Sequence, residues 1–354
     1  MILKSSLSSI FVLAVLACCA DNARSAKEDS ALIKLTDDVY VQLGTPDGNA
    51  VSNSGVVLLE KAVLVFDTHF TPEAGQLLLT EIRSLTSKPV AYVVNSHSHP
   101  DHTHGNQVFA GAQIISSSNA RRDVLQVDLP SMNRTIGVAQ AQVEKLRREL
   151  KQQTEASQAQ RIREQIRSRE DYLATMSRLK ITAPVVTLDD SLILQDGKRE
   201  LRILYLGAAH TDGDIILFLP SAKIVFLGDL FFNEALPNVQ DANIFQWMKT
   251  LEQALLLDAD KFVPGHGPVG SRKDVERFLG YFEELKSLVE PYVARGDSLE
   301  QATREMQIPN KFSGYQFQNF FPANVQKMYA EVKAHQISSI PAEGPKKEGR
   351  EKSR

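Results

Sequence analysis

Four histidines and an aspartate crowd eight consecutive positions in the stretch VVNSHSHPDHTHGN (93–106), as His97, His99, Asp101, His102 and His104. The whole chain holds eight histidines, so half of them serve one short loop. Imidazole nitrogens and carboxylate oxygens suit Zn, Fe or Mn ions, and without sulfur the set does not single out one of the three. His97 and His99 stand two apart, so on an extended backbone both rings project to the same side and can bind one ion. Asp101 and His102 follow beyond Pro100, a residue that breaks a helix arriving from before it.

One loop cannot by geometry close two separate metal sites, and the chain supplies three further candidates beside apolar strands. His210 follows LRILYLGAA, Asp229 is read in the loop after KIVFLG, and His266 sits in KFVPGHG. Gly207, Gly213, Gly228, Gly265 and Gly267 surround them and let the backbone turn sharply towards a crowded centre. The remaining histidines read differently: His104 as a helix start or a partner of a ligand ahead of a spare ligand, His69 as structural at a strand end or at the cleft rim, His335 as a surface residue of the last helix.

The elements around these residues alternate. Strands are expected at 33–44, 54–60 and 62–68, then a helix over 71–85 with Thr71 as its cap, Pro72 in the first helical position and Glu73 in the first turn. A strand at 88–96 leads into the histidine loop, a placement typical of ligand-bearing loops in α/β folds. A helix end and another strand follow over 108–118. From Ile136 to Lys180 the texture turns charged and proline-free, with apolar residues at Val143, Leu146, Leu150, Ile162, Ile166 and Leu173. That spacing predicts a helical hairpin hinged near 154–157, read as a solvated decoration, a lid or a dimerisation arm. Strands return at 183–188, 191–195, 199–207, 214–220 and 223–229, and helices dominate after Asn243. The segment 271–340 is expected as a C-terminal helical extension and 341–354 as a disordered tail.

Residues 1–26 have the layout of a secretory signal: Lys4, an apolar run from Ile10 to Ala17, then small residues. The run is too short to span a bilayer. VLAC ending at Cys18 also matches a lipoprotein processing site, which would put a lipid anchor on Cys18. The chain's two cysteines, Cys18 and Cys19, both lie here, so a mature chain cut after them has no disulfide, thiolate nucleophile or cysteine ligand. A net charge of −3 gives no electrostatic reason to expect nucleic acid or an anionic membrane as partner. The expected partner is a small-molecule substrate, met outside the cytoplasm or in a periplasm; the oligomeric state stays open.

The ordered set HxHxDH at 97–102, GAAHTDGD with His210, FLGD with Asp229 and PGHG with His266 resembles the metallo-β-lactamase superfamily over about residues 33–270, and Asp67 in VLVFDT matches that family's early structural aspartate. The resemblance implies an α/β fold, an αββα sandwich over 31–270 carrying the 136–180 insertion, with two metals, usually zinc, at one edge of its sheets. Carried over, His97, His99 and His210 hold the first metal, Asp101, His102 and His266 the second, and Asp229 bridges them. Two such ions about 3.5–4 Å apart can share a hydroxide as nucleophile, with Asp101 as the catalytic group that orients it or relays its proton. Phe231, Phe232 and Asn233 are candidates to line the cleft, and FSGYQFQNFF (312–321) either reaches its mouth or packs the C-terminal helices.

The leading reading is an exported dinuclear zinc hydrolase of an amide or ester. Export and the DGNAVSNSGVVLLE stretch favour β-lactams as substrate, whereas dedicated zinc β-lactamases commonly carry Cys or Ser where this chain has Asp229. Aspartate there resembles the glyoxalase II and lactonase branches, although a glutathione thioester is chiefly cytosolic. No flavin domain is seen for a flavodiiron reading, and an RNA phosphodiesterase would carry more positive charge. Outside enzymes, the hairpin suggests an accessory protein of a periplasmic redox system.

Overall fold

The computed structural model describes residues 31–45 and 50–338, so the expected leader and tail lie outside the described residues. Seven strands, β1 (Ile33–Lys34), β2 (Val39–Gln42), β3 (Ser54–Leu58), β4 (Val63–Phe66), β5 (Val90–Val94), β6 (Gln113–Ser117) and β7 (Val186–Leu188), form one sheet in chain order. The other sheet takes β8 (Ser191–Asp196), β9 (Arg199–Leu204), β10 (Ile216–Leu219), β11 (Ile224–Phe232) and β12 (Lys261–His266), in chain order from one edge to the other. Pairing is antiparallel through β4 and parallel from β4 to β7; β11 and β12 are also parallel.

Period-two alternation explains how both faces of the central strands of each sheet are buried. Leu64, Phe66, Val57 and Ile115 of the first sheet meet Leu201, Ile203, Leu217, Phe226 and Val263 of the second in one core. Their neighbours Val56, Val63, Val65 and Val93 turn outwards onto Leu78 and Ile82 of α1 (Pro72–Leu85). Thr71 caps that helix as expected, its hydroxyl accepting from the Ala74 N–H at 3.1 Å. On the opposite side, Ile216, Phe218, Val225 and Leu227 pack against the helices that follow β11. Four layers result, an αββα sandwich.

The insertion is a helical hairpin, α2 (Leu129–Gln152) and α3 (Ala156–Arg178), held by the expected six apolar residues. It starts earlier than the charge pattern indicates. Pro130 sits in the first turn, where its missing N–H has no intrahelical partner to lose, and a π-helical segment, Val124–Asp128, feeds directly into the helix. After β11 come α4 (Ile244–Ala254), α5 (Arg272–Arg295), the short helix Leu299–Glu305 and α6 (Phe321–Ser338). Asp274 starts α5 by accepting from the Ser271 N–H at 2.7 Å, and Gly296, at φ 75°, ends it. Among the described residues no helix is long and apolar enough to cross a membrane.

Candidate metal centre

The site lies where the carboxyl ends of β4, β5, β11 and β12 converge. His97 and His99 occupy the loop after β5, and Pro100 opens a short helix, Pro100–Thr103, that carries Asp101 and His102. The proline thus starts a helix here as well as blocking one from before. Asp229 lies inside β11, not in a loop after a strand, because Gly228 (φ 54°) shifts the register against β12 and lets pairing resume at Phe232 with His266. A Cβ on Gly228 would lie 2.4 Å from the Cβ of Ser96, so only glycine lets the two sheets approach this closely.

Seven side chains meet as two groups, one of His97, His99, His210 and Asp229, the other of Asp101, His102 and His266. Asp229 faces both. Its Oδ2 is 3.3 Å from His210 Nε2 and 3.9 Å from His97 Nε2. Its Oδ1 is 3.2 Å from His102 Nε2 and 3.3 Å from His266 Nε2. Asp101 Oδ2 stands 3.4 Å from His102 Nε2 and 3.3 Å from His266 Nε2. Tetrahedral ligands about 2.0–2.2 Å from a Zn²⁺ lie roughly 3.3–3.6 Å apart, which is close to the spacing found here. His97 Nε2, Asp101 Oδ2, His102 Nε2 and Asp229 Oδ1 are buried with no hydrogen-bond partner. Buried polar atoms left in that state are costly unless something binds them, so the donor set fits a metal.

Every one of the five histidines uses its other nitrogen on the protein. His102 Nδ1 bonds Asp67 Oδ2 at 2.8 Å, His97 Nδ1 meets Ser96 Oγ at 2.9 Å, and His99 Nε2 meets Asp241 Oδ2 at 3.1 Å. His210 Nδ1 is 2.9 Å from the Asn238 carbonyl and His266 Nδ1 is 3.2 Å from the Val51 carbonyl. These contacts set ring orientation and favour the tautomer whose lone pair faces the centre. Asp67 is itself held by the Ser96 N–H and hydroxyl, each at 2.7 Å, in a left-handed backbone conformation (φ 60°) that aspartate tolerates better than most residues. Asp67→Asn is therefore expected to weaken metal binding about 10–100-fold with the fold intact, as measured by competition with a metallochromic chelator; unchanged affinity would remove Asp67 from the site.

Burial pushes His97 well below its ordinary value and lowers His210 to about 3, so both rings are neutral at pH 7. Burial acts against charge at His102 and His266 too, but the Asp229 and Asp101 carboxylates outweigh it, raising His102 well above the usual range and His266 to about 9. The metal-free centre thus holds protons that a metal must displace. Because His266 is protonated below about 9 and His102 is raised as well, apparent metal affinity is expected to rise as pH goes from 7 to 9, with protons released on binding. Calorimetry in buffers of different ionisation enthalpy measures that release; affinity independent of pH over this range would contradict it.

The other expected residues fall into place around the two groups. His104 is buried, stacks on Phe70 and bonds Asp128 at the root of the hairpin at 3.2 Å. His69 joins neither group: it bonds the Ser52 carbonyl at 3.0 Å and Gln42 Oε1 at 2.7 Å. His335 is exposed on α6, edge-on to Phe245. Of the three residues expected to line the cleft, only Phe232 touches the centre, stacked on His266 with centroids 5.1 Å apart. Phe231 is buried against Phe278, and Asn233 donates to the Pro268 carbonyl and accepts from Arg277. The aromatic cluster splits likewise: Phe312 and Phe321 are core, while Phe317 stands edge-on to His266 at 5.5 Å. Trp247 of α4 backs His210 with its ring 5.4 Å away.

Sequence reasoning missed Ser96, Asn238, Asp241 and Val51. Ser96 adjoins the motif and was findable by its position; two of the others act through backbone carbonyls, which leave no mark in residue type.

A family profile described as the metallo-beta-lactamase superfamily matches residues 47–266, more than half of the chain. The chain belongs to the metallo-beta-lactamase superfamily, a superfamily of hydrolases, and carries a histidine and aspartate cluster able to hold metal. It is 22% identical over 269 residues to a linear primary-alkylsulfatase of Pseudomonas sp., covering 72% of this chain but only half of that protein. It is 23% identical to the type 2 metallo-beta-lactamase of Bacillus cereus, over 66% of this chain and 74% of that one. A metallo-beta-lactamase from Pontibacter korlensis shares the fold at a TM-score of 0.52 and 18% identity, covering 70% of this chain and 96% of that one.

Proposed function

We propose that the chain is an exported two-metal hydrolase, zinc-dependent, that opens an amide or ester bond. The observation that carries this reading is Asp229, one buried carboxylate with each oxygen turned to a different group of nitrogen and oxygen atoms. His97, His99, His210 and Asp229 Oδ2 would hold one ion; Asp101, His102, His266 and Asp229 Oδ1 the other. Nitrogen and oxygen ligands at tetrahedral spacing suit Zn²⁺, with Fe and Mn as the alternatives to load. When bound, such a pair lowers the pKa of a water towards about 7 and polarises a substrate carbonyl. The catalytic task assigned to Asp101 beside that metal would be to orient the water or relay its proton, from a carboxylate that is buried in the centre. Phe232 and Trp247, both buried, keep bulk water from the protein side of His266 and His210.

Export rests on the layout of residues 1–26, and the catalytic unit on residues 31–270 with 271–340 as a helical extension. Two findings widen the substrate class. Asp229 stands where dedicated zinc β-lactamases commonly carry Cys or Ser, which favours an ester or lactone over a β-lactam. The match to an alkylsulfatase over 72% of this chain adds a sulfate ester.

The test is turnover by the purified mature protein, loaded with zinc or stripped by chelator, of a chromogenic cephalosporin, a homoserine lactone, a glutathione thioester and a primary alkyl sulfate. Metal-dependent turnover of any of them supports the hydrolase, and the substrate turned over names the branch. Failure of all four with zinc, iron and manganese overturns it and favours the accessory role, for which the intact hairpin should capture a redox partner.

A further inference from the structure

We propose that Phe317, from the C-terminal helical segment, forms a wall of the substrate pocket beside the Asp101–His102–His266 group and selects substrates with an apolar acyl or alkyl chain next to the cleaved bond. The proposal rests on the hydrolase reading above and adds to it the chemical class of the group that is recognised.

Three observations carry it. The first is placement: the Phe317 ring stands edge-on to His266, with centroids 5.5 Å apart and planes at 89°. His266 already has a buried partner in Phe232, stacked almost parallel at 19°. Phe317 is only half-buried, so part of its apolar surface stays exposed while it packs on His266 and the core. Phe320, also half-buried, extends that surface with a centroid 5.8 Å from Phe317.

The second is how firmly the backbone is held. Gln316 donates to the Glu234 carbonyl at 2.8 Å and accepts from the Leu236 N–H at 2.9 Å, a short parallel bridge to the chain just beyond β11. The segment that continues from the Asp229 strand therefore also positions Phe317. This is a rigid placement, and rigid walls discriminate between substrates better than mobile ones because little ordering is left to do on binding.

The third is strain. Phe317 has φ 57° and Glu234, across the bridge, has φ 54°. A left-handed conformation is unfavourable for a non-glycine residue, and such strain clusters at ligand-binding sites. A bulky aromatic at this position is costly where glycine would not be. Phe312 and Phe321 on either side are buried in the core, whereas Phe317 packs against that core and stays half-exposed, so full burial is not what holds it beside His266.

The test uses binding, so that it does not depend on turnover. Acetate, hexanoate and octanoate are titrated calorimetrically into the zinc-loaded protein, as carboxylates that can reach the metal group and carry chains of increasing length. In the wild type, affinity is expected to rise severalfold or more from acetate to octanoate. Phe317→Gln, similar in length but polar, should cut the octanoate-to-acetate ratio about tenfold, leaving acetate affinity and metal content within twofold. Phe317→Leu, which keeps an apolar side chain, should retain most of the ratio. A ratio unchanged in Phe317→Gln, or a wild type that binds octanoate no better than acetate, overturns the proposal. Because no bond is cleaved in this assay, chain-length selection without turnover in the substrate panel would sink the hydrolase reading alone.

Discussion

Asp229→Ala is expected to reduce turnover by at least about 10³-fold and to leave the purified protein with less than two equivalents of metal. The scale follows from what the residue does: losing a partner outside the ligands costs about 10–100-fold in metal affinity or activity, and Asp229 is the one carboxylate turned to both groups. Its removal leaves His97, His99 and His210 as one three-membered set and Asp101, His102 and His266 as another, with nothing joining them. The fold should survive, because β11 is paired on both sides and Asp229 contributes no large apolar side chain to the core. Asp229→Asn sharpens the test, since an amide of equal size keeps one oxygen but loses the charge and the second acceptor. Metal content by mass spectrometry, turnover and thermal midpoint are read together. Two equivalents of metal with activity within tenfold of wild type would refute the bridging role.

The second large effect is expected at a residue with no side chain. Gly265→Ala would place a methyl 1.9 Å from Asp229 Oδ1, 2.8 Å from the Gly228 carbonyl carbon and 2.9 Å from the Asp229 amide nitrogen. Two of those atoms are backbone, so the clash cannot be relieved by turning a flexible side chain. Either Asp229 swings off the axis between the two groups or β12 separates from β11, and β12 carries His266. We expect loss of metal from the His266 group, a fall in turnover of at least about 100-fold, and a destabilisation of about 1–3 kcal/mol from overpacking. Chemical denaturation with and without zinc separates the two effects: an added stability from zinc in the wild type should largely vanish in the variant. Normal metal content in Gly265→Ala would show that β12 can move away from Asp229 without loss of the His266 group.

Much of this centre was legible one residue at a time. His97, His99, Asp101, His102, His210, Asp229 and His266 stand out because metal chemistry demands particular atoms, and those atoms belong to a few residue types. The helical hairpin was legible for a similar reason: its six core residues recur at helical spacing whatever lies next to the hairpin. The cap at Thr71 is equally local, needing only a hydroxyl three residues before an N–H. What misled was also local. A charged texture placed the start of the hairpin at Ile136, whereas a proline in the first turn allows helix from Leu129. The strand end expected at Asp229 ignored that Gly228 can shift register without ending β11.

By itself, then, the sequence determined which atoms are available to bind metal and which segments curl into helices or extend, because composition and short-range periodicity depend on neighbours a few residues away. Only the tertiary structure decided that the two oxygens of Asp229 face different groups, that His266 borrows the carbonyl of Val51 and His99 the carboxylate of Asp241, and that Phe317 leans on His266 while Asn233 does not. These contacts join residues from both sheets and from the C-terminal helices. They exist because burying two faces of each sheet brings distant strand ends to one edge, and no spacing along the chain records which ends will meet.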